Sequence, residues 1–211
     1  THNNYGVYYN REIMMPKLGY DFYDSTRIKA EDTVEDSYVI DYIKWIMYEQ
    51  EHYFSYWITY TSHQPYGKDT LNEQQLEYLE LVENRFPNIN EEEKVYLSKV
   101  MDLDRGLKKL LIDYKNSEVL DDLVIMIYGD HFPKGIFENK ENYRDLCETR
   151  GITFESCFKT PFFIWSNDQN AQVITKVSST LDISPTIYDL FNLDYDYRWV
   201  LGNSVFDPSY D

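Results

Sequence analysis

The chain has 211 residues, 43% of them hydrophobic and 17% aromatic, which is a folding, globular composition with enough apolar surface for one sizeable core. Its formal net charge is -17. That balance argues against a nucleic-acid partner, whose phosphates need Lys and Arg, and against electrostatic docking on an anionic membrane.

In chain order, Thr1–Thr33 is rich in Tyr and Asn and reads as irregular. Val34–Glu51 is predicted helical, because Val34, Tyr38, Val39, Tyr42, Ile43, Ile46 and Met47 recur at three- and four-residue spacing. Tyr53–Tyr60 (YFSYWITY) reads as a strand, being aromatic and β-branched. It runs into the loop Thr61–Tyr66 (TSHQPY), marked by Pro65 and followed by Gly67. Leu71–Asn84 is predicted to be a helix. Asn90–Tyr114 is predicted as a long one, with Asn90 as N-cap and Glu91, Glu92 and Glu93 in its first turn.

Leu123–Tyr128 reads as a short buried strand stopped by Gly129, which lets the backbone leave extended geometry. Glu141–Arg150 is helical and ends at Gly151. Pro161–Ser166 is a further strand. Ser178–Asn192 is a helix, with Pro185 in its first turn after a short lead-in. Strands alternating with helices imply an α/β fold with a largely parallel central sheet flanked by helices. In such sheets the site lies beyond the carboxyl ends of the strands.

That rule singles out His63, which follows one strand, and Asp130 and His131, which follow another. Asp oxygen beside neutral imidazole nitrogen is a common pair of metal ligands; the plain alternative is a polar turn closing a core strand. His63 can donate a proton or bind a phosphate oxygen, or can simply cap its turn. Arg11, in the stretch THNNYGVYYNRE, offers a fork that matches phosphate geometry, as an ordinary surface arginine also would. His52 reads as structural or solvated. Asp102 and Asp104 lie mid-helix in VMDLDRGLKKLL; Asp104 can cap or orient neighbours, which outweighs a role as a metal ligand. Most of the 21 tyrosines belong to the core or its margins, though some suit head-group stacking.

Cys147 and Cys157 are close enough in sequence to pair and do not form a CxxC metal pattern. No GxSxG, P-loop or GxGxxG is present. No run of about 18 apolar residues and no signal peptide is visible. The chain starts at Thr1 in what reads as functional sequence, so the expectation is a fragment of a longer protein.

Taken together, these pieces resemble the sulfatase/alkaline-phosphatase superfamily, and within it the extracellular catalytic domain of lipoteichoic acid synthases, the phosphoglycerol transferases of Gram-positive bacteria. THNNYGVYYNREIMMPKLGYDFYD resembles the family's His-x-Asn/Asp, aromatic-Asn-Arg and Leu-Gly-aromatic-Asp segment. TSHQPY resembles its substrate-histidine loop. MDLDRGLKKLL and DDLVIMIYGDH resemble its Asp-bearing helix and its metal-binding strand end. KTPFFIWS and SSTLDISPTIYDLFNL resemble its closing strand and Asp-hydrophobic-x-Pro-Thr helix. The ordered set is more specific than any one piece.

The resemblance implies an alkaline-phosphatase-like α/β domain, of which residues 1–211 are the C-terminal part. It implies that Asp130 and His131 ligate one divalent ion, Mn²⁺ or Mg²⁺, with Ca²⁺ and Zn²⁺ as alternatives. His63 would contact the phosphoglycerol head group and protonate a leaving oxygen. His2, Asn4, Tyr9 and Arg11 would form the head-group pocket; other members carry Asp and Trp at the positions of Asn4 and Tyr9. A metal-activated threonine would take glycerol phosphate from phosphatidylglycerol, release diacylglycerol and pass the group to a growing cell-wall polymer. That threonine, an acidic ligand and membrane helices are expected upstream of Thr1, leaving the fragment inactive alone on the extracellular face of the cell membrane. The competing readings are a sulfatase, phosphatase or phosphoethanolamine transferase of the same superfamily, and a non-catalytic surface binding module.

Overall fold

The computed structural model describes residues 10–24, 35–136, 140–153 and 155–209. The chain divides into two compact units, one of Thr1–Val124 with His131–Lys159, the other of Ile125–Asp130 with Thr160–Asp211.

The first unit is helical. Its helices are α1 (Arg11–Lys17), α2 (Asp36–Tyr48), α3 (Glu73–Arg85), α4 (Glu91–Asn116) and α5 (Lys140–Thr149). Helix α4 is the spine, and both α2 and α3 pack along it. Asn90 caps α4 as predicted: its side chain accepts from Glu93 N at 2.7 Å while the Glu93 carboxylate accepts from Asn90 N. Asn72 and Gln75 form the same reciprocal box on α3. These boxes satisfy N–H groups that a helix start leaves orphaned.

The core where α2 meets α4 consists of Ile40, Ile43, Met47, Leu110 and Tyr114, with Trp57 and Leu123 packed against it. Tyr38 and Tyr42, which share the apolar periodicity of α2, are exposed instead. Their hydroxyls make them tolerable in water, so Ile40 and Ile43 set which face turns inward. The crossing is close at Gly106: a Cβ there would lie 2.8 Å from Ser37 Cα and 2.8 Å from Ile40 Cδ1.

Two sequence expectations are corrected. Thr1–Thr33 is not irregular throughout, because Arg11–Lys17 is helical, with Asn10 in the left-handed region at φ 50° ahead of it. Tyr53–Tyr60 is not a strand. A strand exists through ladder pairing, and composition alone cannot supply the partner. Here Tyr60 N and Thr61 N donate to the Asp36 carboxylate at 2.8 and 2.9 Å rather than to a neighbouring strand.

The second unit carries the sheet. Among the described residues it has two hydrogen-bonded strands, β1 (Val124–Tyr128, whose first residue belongs to the helical unit) and β2 (Phe162–Ser166). Gly129 N donates to Pro161 O at 3.1 Å. Gly129 is not in the left-handed region; a Cβ there would meet Thr160 Cβ at 2.9 Å, so close approach explains the glycine. Beyond β2, a 3-10 turn over Thr180–Asp182 leads into α6 (Ile183–Leu190), with Pro185 in its first turn as expected. Asp182 is buried, and its carboxylate accepts from Ser179 N at 2.6 Å and Asn203 N at 2.8 Å. Thr186 Oγ1 donates to Asp182 O and accepts from Val205 N. The Asp-Ile-Ser-Pro-Thr motif is thus a clasp holding the chain after Gly202.

Candidate functional site

His63 is half-buried on a loop clamped from both sides. On one side stands Asp36, at the start of α2. Its carboxylate receives Tyr60 N and Thr61 N, and Asp36 N donates to Thr61 Oγ1 at 2.7 Å. Burial pushes the Asp36 carboxyl up to about 6, against the lowering pull of those bonds. Asp102, only 1% exposed on α4, accepts from Ser37 Oγ at 2.6 Å and Ser37 N at 3.2 Å, with Arg105 beside it. Burial, then the Asp102 charge, also raises the neighbouring Glu35 carboxyl. Asp102 therefore fixes the start of α2 and is not placed as a metal ligand.

On the other side stands Lys99 of α4, whose ammonium donates to Pro65 O at 2.8 Å and His63 O at 3.4 Å. His63 N donates to Tyr60 O at 2.8 Å, and the His63 ring stacks on the Tyr60 ring at 5.6 Å and 13°. His63 Nδ1 lies 2.9 Å from Gln64 O. A carbonyl can only accept, so Nδ1 carries a proton and donates it there.

The other predicted histidine is presented the same way. His131 Nδ1 lies 2.7 Å from Phe132 O, and a carbonyl can only accept, so Nδ1 donates there. Asp130 and His131 are exposed neighbours at the end of β1, and the boundary between the two units falls between them. Phe132 is held edge-on by Phe158 at 4.8 Å, and the adjacent Cys157 is disulfide-bonded to Cys147. The pairing that the sequence left open is therefore made.

Within the helical unit the two histidine segments meet. A Cβ at Gly135, four residues after His131, would lie 2.9 Å from Gln64 Cβ. The turn Lys134–Ile136 also packs on α4, the helix that carries Lys99.

Arg11 opens α1, half-buried with Nη1 shielded from solvent. His2, Asn4 and Tyr9, the other expected head-group residues, lie outside the described residues. His52 is solvated on the surface. Among the described residues no group of three or more His, Cys, Asp or Glu converges as a metal cluster. Asp130 and His131, adjacent in sequence, carry a carboxylate and an imidazole, donor types that suit Mn²⁺ or Mg²⁺. Sequence reasoning missed Asp36 and Lys99. A lysine at a buried helix position three residues before Asp102 was the available signal.

Residues 1–193 match the family model described as Sulfatase. The chain belongs to the sulfatase family. Among curated sulfatase-family relatives it is similar to lipoteichoic acid synthase of Staphylococcus saprophyticus, at 25% identity over all of this chain and 33% of that protein. It is also similar to lipoteichoic acid synthase of Staphylococcus aureus, at 26% identity over all of this chain and 33% of that protein. The chain thus spans about a third of the length of those relatives. The lipoteichoic acid synthase LtaP from Listeria monocytogenes shares the fold, with a TM-score of 0.70 and 23% identity over 97% of this chain and 52% of that one. The expected α/β architecture, a partial alkaline-phosphatase/sulfatase-like domain, is what this sulfatase-family chain has.

Proposed function

We propose that this sulfatase-family chain supplies the metal-and-histidine part of a phosphoglycerol transferase of the lipoteichoic acid synthase kind. The observation that carries the reading is the matched presentation of His63 and His131. Each ring donates Nδ1–H to the next residue's carbonyl, and their segments touch through Gln64 and Gly135. The name of the relatives, lipoteichoic acid synthase, supports a product of the lipoteichoic acid kind.

Asp130 and His131 would hold one divalent ion, Mn²⁺ or Mg²⁺. When bound, it would polarise a phosphoryl oxygen and favour the ionised form of an attacking hydroxyl. The rest falls to the chain's own residues. Arg11, with His2, Asn4 and Tyr9, would bind the phosphoglycerol head group. His63 would accept a hydrogen bond at Nε2. Taking up a proton there leaves Nδ1–H on Gln64 O, so His63 can pass that proton to a leaving oxygen without turning its ring. The reading further needs a threonine to carry the glycerol phosphate and an extracellular location for the site.

The test uses a protein that joins this chain to a threonine-bearing upstream part, given phosphatidylglycerol and, separately, a sulfate ester. Diacylglycerol release that is lost in Asp130→Ala and His131→Ala supports the reading. Turnover of the sulfate ester alone, or release indifferent to both substitutions, overturns it.

A further inference from the structure

The loop carbonyls around His63 alternate in direction. His63 O and Pro65 O face the Lys99 ammonium, while Gln64 O, between them, faces the His63 ring. Lys99 is a costly residue to place there. It is 6% exposed, its bonds go to backbone carbonyls, and burial lowers its affinity for a proton. A loop that needed only packing would be served by an apolar side chain at this position. A cation bridging the outer two carbonyls holds the middle one turned toward the imidazole. Asp36 anchors the entry to the loop through Tyr60 N and Thr61 N, and Lys99 anchors its exit.

We infer that Lys99 is a positioning residue for His63: its ammonium sets the Gln64 carbonyl that keeps the proton on Nδ1 and the lone pair on Nε2. This rests on the role given to His63 above. An imidazole in water prefers its proton on Nε2, so the arrangement has to be imposed by its partner. His131 makes the same Nδ1 contact on Phe132 O and serves as an internal reference.

The experiment reads ring nitrogen signals of ¹⁵N-histidine in the 211-residue chain, which report the tautomer directly. In the unaltered chain both His63 and His131 show the proton on Nδ1. In Lys99→Met, His63 loses that pattern and moves to the mixture of a free histidine, while His131 keeps it. Retention of the Nδ1–H pattern at His63 in Lys99→Met overturns the inference. Should that variant lose its fold, shown by the loss of both patterns, the Lys99 ammonium of the unaltered chain decides. Its protons exchange with water more slowly than those of the exposed lysines if carbonyls hold them, and equally fast exchange overturns the inference. Failure of the transferase reading would leave these spectra unchanged, so the two claims fail separately.

Discussion

Asp36 shows how one buried side chain couples the candidate site to pH. Its carboxyl keeps a proton up to about pH 6 in the folded chain but loses it near its ordinary 3.8 when unfolded. Between those values the folded state binds more protons, so this group's contribution to stability falls as pH rises through the window. The effect is bounded by about 3 kcal/mol. Denaturant titrations at several pH values should therefore show that the difference in unfolding free energy between the parent and Asp36→Asn shifts against the parent from pH 4 to pH 6. A flat difference would mean that Asp36 is better solvated than its burial indicates. Above pH 6 the ionised carboxylate accepts from two backbone N–H groups, while an Asn oxygen and amide cannot serve both equally.

At the scale of elements, small residues decide where helices and loops meet. Gly106→Ala would gain about 1 kcal/mol of helix propensity but must push α2 off α4 at Ser37 and Ile40. The expected net result is a loss of about 1–2 kcal/mol in chemical denaturation, against the gain propensity alone predicts. Gly202, at φ +85°, packs against Asp182 Oδ1 and Leu181 O, each 2.6 Å from where a Cβ would sit. Gly202→Ala should thus lower stability by roughly 2 kcal/mol, read as a lower melting temperature, through left-handed strain and loosening of the Asp182 clasp. The helices were legible because caps and periodicity are local: Asn90, Gly151 and Pro185 all act where the sequence places them. The segment Tyr53–Tyr60 was not, since its fate turned on Asp36, a distant acceptor that no local pattern reveals. Lys99 stayed hidden for the same reason, because its carbonyl partners lie 34 and 36 residues away in sequence.

At the scale of the whole molecule, a net charge of -17 sits on a chain whose expected partners are anionic. Cations therefore have to be held locally, and the proposal puts one at Asp130 and His131. General acidity would instead collect Mn²⁺ diffusely, with no preference for one histidine. The ordered motifs made the family readable from sequence, and the match over residues 1–193 agrees. The metal roles rest on two adjacent residues, so they need a measurement that reports proximity. The most direct is paramagnetic broadening of the histidine ring signals as Mn²⁺ is added to the 211-residue chain. The account predicts that His131 broadens first, ahead of the solvated His52, and that Asp130→Ala removes the preference. Broadening of His52 as early as His131, or a response unchanged in Asp130→Ala, would contradict it.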